Sequence, residues 1–383
     1  MGIYLDYNAS APIDERVLDV MIDVYRNSYG NADSRTHEYG DQARQIVENA
    51  RAQVASLLNV NTGEVFFTSG STESNNIAIR GLIDYAIESG KKHIITSSIE
   101  HKAVLESVKS LAKDGFLIDI VNPDESGRVN VNEVLNLIRD DTLLVSIMHA
   151  NNETGAIQPV NELGQAFSKT GVLFHIDATQ SCGKLVPELK DIKYDMLSLS
   201  AHKLCGPQGI GALILRKKRY KLPPIKAITY GGQQEHGIRP GTIPVALVAG
   251  LGEACRLAEL EYDSNMAQLK EKKEAVINLI IESGIKIHFN GSQEHCMPNT
   301  LNVSFDGVES EALMIATKQY CGISNGSACT SQDYSPSYVL TAMGLDENRI
   351  SSAIRLSWGA KTEKIELISQ LKALLDVAKG LVF

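Results

Sequence analysis

One lysine sits where a solvated lysine has no reason to be. Lys203 lies in Leu197-Ser-Leu-Ser-Ala-His-Lys-Leu-Cys-Gly-Pro-Gln-Gly-Ile-Gly211, hemmed in by Leu197, Leu199, Leu204 and Ile210. An apolar run that ends in small polar residues, a His-Lys pair and a Gly-Pro turn carries the amine from a strand end into a cleft. Burial disfavours the ammonium, lowers its pKa and readies the amine for Schiff-base chemistry with a carbonyl. Taken alone, the stretch also fits a lysine snorkelling at a strand end. Upstream, Asp177 follows the apolar Phe174-His-Ile176 and opens Asp177-Ala-Thr-Gln180. A carboxylate there needs a cationic partner or ligand, unless it caps the next helix. Phe67 is followed by Thr68-Ser-Gly-Ser-Thr-Glu-Ser74. Small and hydroxyl residues at a helix start leave backbone N–H groups free for a phosphate. The same residues also fit a capping box, and the two readings can coexist. His101, in Glu100-His-Lys102, and the polar run His149–Gly155 follow two more apolar runs. His101 is equally a helix cap or core residue on local grounds, and Asn151-Asn-Glu153 could be turn chemistry.

The elements that must position these residues follow from periodicity. Short β-rich runs occupy 65–67, 93–96, 116–120, 143–147, 172–176, 196–199 and 212–215. Helical segments such as 72–89, 101–113, 130–139 and 160–169 lie between many of them. Strands alternating with helices imply an α/β fold with a mainly parallel, seven-stranded sheet covered on both faces. Ligands then belong at the carboxyl ends of the strands, where the polar residues fall. Residues 1–12 read as an extended arm, followed by helices from Asp14 and from about His37 to Leu58. The segment Pro244 to about Ser283 reads as helical throughout, and 285–383 alternates short strands with helices, as a smaller α+β domain does. The expected division is a large domain over 13–257 and a small one made of 1–12 and 258–383.

At 383 residues, the chain is longer than a single core usually serves. No apolar run approaches the roughly 20 residues that span a bilayer, and the N-terminus lacks a secretory pattern, so a cytoplasmic protein without membrane contact is expected. The net charge of −9 argues against broad nucleic-acid binding. Arg216-Lys-Lys-Arg-Tyr-Lys221 reads as a solvated hairpin or loop, or as a docking patch for an acidic partner. The six cysteines form no C-x-x-C pair, so neither a metal site nor a disulfide framework is expected.

A buried lysine, an upstream strand-end aspartate and a phosphate loop before both are together the parts of a pyridoxal 5'-phosphate enzyme of the aspartate-aminotransferase-like fold (fold type I). The motifs Phe67-Thr-Ser-Gly-Ser-Thr-Glu-Ser74, Asp177-Ala-Thr-Gln180, Ser200-Ala-His-Lys203 and Ser324-Asn-Gly-Ser-Ala-Cys-Thr-Ser-Gln332 resemble those of the cysteine desulfurases of the NifS/IscS group, within the class V aminotransferases. The resemblance runs from Tyr4-Leu-Asp-Tyr7 to the last helix. It implies that Lys203 holds the cofactor and shuttles protons at the substrate α-carbon. Asp177 would pair with the pyridine nitrogen, Gln180 with the ring hydroxyl, and His101 would stack on the ring. Ser71, Thr72, Ser200 and His202 would hold the phosphate, with Thr242 reaching in from a second subunit of a homodimer. Arg355 would clamp the substrate carboxylate, with Asn152 beside it.

The distinguishing residue is Cys329, on a stretch of small polar residues over 324–336. Accessible there as a thiolate, it would take sulfur from L-cysteine as a persulfide, leave L-alanine and pass the sulfur to an acceptor protein. Iron–sulfur assembly, tRNA thiolation and DNA phosphorothioation all use such sulfur. Gly30-Asn-Ala-Asp-Ser-Arg-Thr-His37, Arg239-Pro-Gly-Thr242 and the chain's end soon after its last helix are similar to the subgroup of DNA phosphorothioation systems. The alternatives are a selenocysteine lyase or another class V lyase or transaminase, although a transaminase has no need of such a thiol. Two departures from the family are Gln208, where a lysine is usual, and Cys205, two residues after Lys203.

Overall fold

The computed structural model describes residues 2–325 and 336–382. Its strands are β1 (Ile3–Tyr4), β2 (Val65–Thr68), β3 (His93–Ser97), β4 (Leu117–Val121), β5 (Thr142–Ser146), β6 (Leu173–Asp177), β7 (Met196–Ser200), β8 (Gly211–Leu215), β9 (Ile287–Phe289), β10 (Thr300–Phe305), β11 (Cys321–Gly322) and β12 (Ala353–Ser357). Seven of them form one sheet in the order β2-β8-β7-β6-β5-β3-β4. Neighbours from β4 to β7 are parallel, and β8 runs antiparallel to both β7 and β2. The seven strand runs expected from the sequence are all present, each within a residue or so.

Alternation along the strands feeds two apolar layers. Val65 and Phe67 pack on one face with Val47, Val54, Leu58, Val248 and Leu251, while Phe66 joins Ile77, Leu82, Val104 and Val108 on the other. A buried ion pair anchors the first strand of this sheet. Arg51 donates to both carboxylate oxygens of Glu235 at 2.8 and 2.9 Å and to the Val65 carbonyl at 2.7 Å. Glu235 in turn accepts from the Phe67 amide at 2.7 Å.

A second, antiparallel sheet has the order β12-β10-β9, and β1 pairs in parallel with β11. Ile3 and Leu5 pack there among Leu301, Val303, Ile354, Leu356 and Trp358.

Three local outcomes depart from or refine the periodic reading. The expected helix over 72–89 is two helices, Ser71–Arg80 and Ile83–Ser89. At Gly81 the passing segment 225–226 comes so close that a Cβ would meet Ile225 Cγ2 at 2.6 Å, and the Lys226 amide takes the Gly81 carbonyl at 2.8 Å. The long helical stretch is Val245–Leu260 and Tyr262–Glu282, broken at Glu261, whose carboxylate receives Arg16. The basic run forms a hairpin in which Lys218 and Lys221 exchange backbone hydrogen bonds at 2.9 and 3.1 Å, with Arg219 and Tyr220 at φ 51 and 68°. That is the turn whose twist suits a two-residue hairpin. No described helix is long and apolar enough to cross a membrane.

Candidate active site

Five strands of the large sheet deliver side chains from their carboxyl ends to one cavity of about 390 Å³. The turn after β2 brings Ser71 and Thr72, the turn after β3 His101, and the loop after β5 Asn152. Asp177 and Gln180 come from the end of β6, and His202 and Lys203 from the turn after β7. Arg355 enters from β12 of the other sheet. Nine residues singled out in the sequence thus line one space, at the position expected of an open parallel sheet.

Lys203 Nζ donates to the main-chain carbonyls of Asn8 and Ala9 at 2.6 and 2.5 Å. The N-terminal arm is therefore part of the site, which nothing in its sequence announces. Asp177 accepts from Asn75 Nδ2 at 2.8 Å and from the Thr179 amide at 2.9 Å. Gln180 Nε2 donates to the Asn8 carbonyl at 3.0 Å. Arg355 is 2% exposed, with Nη1 on the Asn152 carbonyl at 2.9 Å and Nη2 on Asp6 at 2.5 Å.

Charges in the cavity are unevenly distributed. His101 caps the helix Lys102–Ser110, its Nδ1 accepting from the Ala103 amide at 3.1 Å. Nδ1 is therefore the unprotonated nitrogen, leaving the proton of the neutral ring on Nε2. Burial, together with the nearby Lys203 and Lys102 charges, pushes the His101 pKa down against the opposing pull of Asp177. Burial and the cations of Lys203 and Lys184 bring that of His202 down to about 4. Both imidazoles are neutral at pH 7. Glu100 behaves oppositely: burial raises its carboxyl to about 8, despite hydrogen bonds from the Met148 amide and Ser97. Glu153, raised by burial too, accepts from Ser337 Oγ at 2.5 Å.

The site has the features an anionic, ring-bearing cofactor needs. Gly70, at φ 150°, caps the helix Ser71–Arg80 with no side-chain hydrogen bond to its first turn, which leaves amides facing the cavity. Glu73 instead accepts from the Ser69 amide, one residue before the cap, and is paired with Arg239, so a capping box does not form. Four buried oxygens at or beside the cavity have no partner among the described residues, namely Gln180 Oε1, Asn152 Oδ1, Thr179 Oγ1 and Asn75 Oδ1. Native interiors rarely leave such groups unpaired, and a bound polar molecule would satisfy them. The residues present fit pyridoxal phosphate: an anion site at a helix N-terminus, an amine, and a carboxylate for a ring nitrogen.

Three other expected residues stand apart. Ser200 is buried at the end of β7, its Oγ 3.6 Å from where a Cβ on Gly70 would stand, so it backs the Gly70 turn. Thr242 is exposed and does not line the cavity of its own chain. Cys329 lies outside the described residues. The sequence assigned no individual role to Asn8, Asn75, Lys102, Glu153 or Tyr338. Asn75 was legible in principle, one helical turn on from Ser71. Lys102 and Glu153 adjoin His101 and Asn152 in runs the sequence already marked, while Asn8 and Tyr338 reach the site only through long-range packing. Gln208, the departure from the family's lysine, is exposed and donates to Ser10 Oγ at 3.2 Å, which agrees with a turn role. No group of metal-ligating side chains occurs among the described residues.

With a fold-type-I sheet and this lysine-centred cavity in place, the chain belongs to the class-V aminotransferase family, whose pattern matches residues 3–368. Members of this family use pyridoxal phosphate. Within it the chain falls in the NifS/IscS group of cysteine desulfurases. It is 44% identical over 374 residues to a protein named cysteine desulfurase IscS from Pasteurella multocida, covering 96% of this chain and 90% of the relative. A solved structure named NifS-like protein superposes with a TM-score of 0.91 at 36% identity, covering the whole of both chains. The structure of DndA from Streptomyces lividans is 41% identical, with a TM-score of 0.81 over 93% of this chain and 99% of that one.

Proposed function

We propose that this protein is a pyridoxal-phosphate-dependent L-cysteine desulfurase that converts L-cysteine to L-alanine and passes the sulfur, held as a persulfide on Cys329, to an acceptor protein. The observation that carries the reading is the convergence of nine residues, from Ser71 to Arg355, on the cavity around Lys203. Ser71, Thr72, Ser200 and His202, with Thr242 of the partner subunit in a homodimer, would hold the phosphate. Asp177, fixed by Asn75, would hold a proton at the ring nitrogen, Gln180 would meet the ring hydroxyl, and His101 would lie against the ring. The cofactor, when bound, supplies an electron sink conjugated to the amino acid's α-carbon.

The chain's own residues then divide the work. Arg355 presents donors to the substrate carboxylate, and its contacts with Asp6 and the Asn152 carbonyl fix its orientation. The Lys203 amine takes and returns the proton at the substrate Cα, and neutral His101 serves proton transfer through its Nε2 side. The Cys329 thiolate attacks the substrate sulfur: an S–S bond forms, the Cβ–S bond breaks with its electron pair going to carbon, and that carbon is protonated to give alanine. A division into a part of 13–257 and a part of 1–12 and 258–383 belongs to the same reading, supported by the pairing of β1 with β11.

The test is incubation with L-cysteine and reductant. Wild-type protein is expected to give equimolar alanine and sulfide. Lys203→Ala should be colourless and inactive, and Cys329→Ala coloured but without sulfide release. Normal turnover by Cys329→Ala would remove Cys329 from its role, and a keto-acid product would make the protein a transaminase.

A further inference from the structure

Behind the catalytic cavity lies a second one, of about 190 Å³, between the helix Glu15–Asn27, the helix Val245–Leu260 and the turn at Trp358. Lys203 lines both cavities. Lys184 lines the rear one, and its ammonium donates to the main-chain carbonyl of Gln180 at 3.0 Å and to that of Lys203 at 2.9 Å. These carbonyls belong to the loops after β6 and β7, which carry the residues assigned to the cofactor's ring hydroxyl and to its attachment. No carboxylate pairs with Lys184 among the described residues. An ammonium without a counter-ion is an expensive way to bridge two carbonyls, since a neutral amide side chain could donate to them as well.

We propose that Lys184 is a positioning residue that clamps the loops bearing Gln180 and Lys203 to each other and places a positive charge against the main chain of Lys203. The inference rests on the reading of Lys203 as the cofactor-bearing lysine. Its electrostatic half has support at a neighbouring group: the Lys184 charge contributes to the lowered pKa of His202. Burial brings the pKa of Lys184 itself to about 8, opposed by the thiols Cys205 and Cys182. The titratable and charged groups that share the front cavity with Lys203 are Asp177, Glu153, His101, His202, Lys102, Tyr338 and Arg355, and those that share the rear one besides Lys184 are Asp14, Glu261, Lys361, Cys205 and Tyr7. All of these stay unchanged in the variants below. A cation at this place disfavours a second positive charge on the Lys203 nitrogen, and so extends the neutral form to lower pH.

The test is a pH titration of the visible absorption of the cofactor-loaded protein, with cofactor affinity measured alongside. Lys184→Met is expected to raise the titration midpoint by about one pH unit and to weaken cofactor retention. Lys184→Arg, which keeps a cation and donors, should return the midpoint to within about 0.3 unit of wild type. An unchanged midpoint in a folded Lys184→Met overturns the proposal, and so does an equal shift in the Met and Arg variants, which would make the residue a packing element. If Lys184→Met does not fold, Lys184→Gln takes its place with the same expectation, because it keeps a donor and loses the charge. Lys203→Ala is run in parallel: if it keeps the wild-type absorption, the reading of Lys203 fails, whatever Lys184 does.

Discussion

The buried pair Arg51–Glu235 is bonded to the strand that leads into the Gly70 turn, and its removal can be worked out quantitatively. Arg51 is 9% exposed and Glu235 6%, and the guanidinium also covers the Phe67 ring at 4.6 Å. Arg51→Met strands a buried carboxylate and orphans the Val65 carbonyl, a loss of about 4 kcal/mol on the scale of broken buried pairs. Glu235→Gln keeps the shape and an acceptor for the Phe67 amide, but it turns two charge-assisted bonds into neutral ones beside an uncompensated guanidinium, costing about 3 kcal/mol. In Arg51→Met/Glu235→Gln no charge is left stranded, so the double variant should cost no more than Arg51→Met alone. The coupling energy is then at least about 3 kcal/mol. Denaturant unfolding of the cofactor-saturated proteins at pH 7 measures all four corners of the cycle. Additive single losses, to within about 0.5 kcal/mol, would refute the argument that the pair acts as one buried unit. The contact between Arg51 and Glu48, at 3.2 Å with Glu48 half exposed, should contribute less than about 1 kcal/mol to the same measurement.

Three further outcomes are expected. Asp177→Asn should retain bound cofactor yet lose about a hundredfold or more in alanine formation, in line with removing one preorganised electrostatic group; unchanged turnover would count against its place at the ring nitrogen. Asp6→Asn frees one side of Arg355 and should raise KM for cysteine about tenfold, with a smaller effect on kcat in steady-state assays. The third concerns pH. His175, held between Ser146 and Ser198 at 2.8 and 3.0 Å, has its pKa lowered to about 4 by burial. Below about 6.5 the unfolded chain binds a proton there that the folded chain refuses, so this contribution to stability is complete above 6.5 and lost as pH falls toward 4. From pH 7 to 5 the loss is about 2 kcal/mol, and urea unfolding of His175→Gln should show correspondingly less pH dependence.

Much of the large sheet could be read from the sequence because its strands are buried on both faces and appear as short apolar runs. The site was legible for a related reason. Residues at the ends of such strands, among them Asp177 and Lys203, are chemically conspicuous when they follow Ile or Leu. What escaped was whatever depends on contact between distant segments. The break at Gly81 is imposed by residues 225–226. Asn8 contributes its carbonyl, a group that every residue carries, so no side-chain pattern could reveal it. β9 was missed because His288, between Ile287 and Phe289, interrupts a three-residue strand with half-exposed neighbours. Cys205 adopts φ 59°, a backbone conformation favoured by glycine and asparagine, and its thiol is raised by burial, so its position after Lys203 gives it no heightened reactivity.

The N-terminal arm that holds the Lys203 amine has a consequence for how the protein comes into being. The Asn8 amide donates to Ser357 Oγ, a residue 349 positions further along the chain. At a synthesis rate of about 5–20 residues per second, the arm emerges from the ribosome roughly 20 to 70 s before that partner exists. The lysine's cradle therefore gains this support only after residue 357 has been made. The strands of the large sheet are all made by Leu215, whereas Arg355 and Ser357 follow about 140 residues later, so a nascent chain that holds the whole sheet still lacks two groups that complete the site.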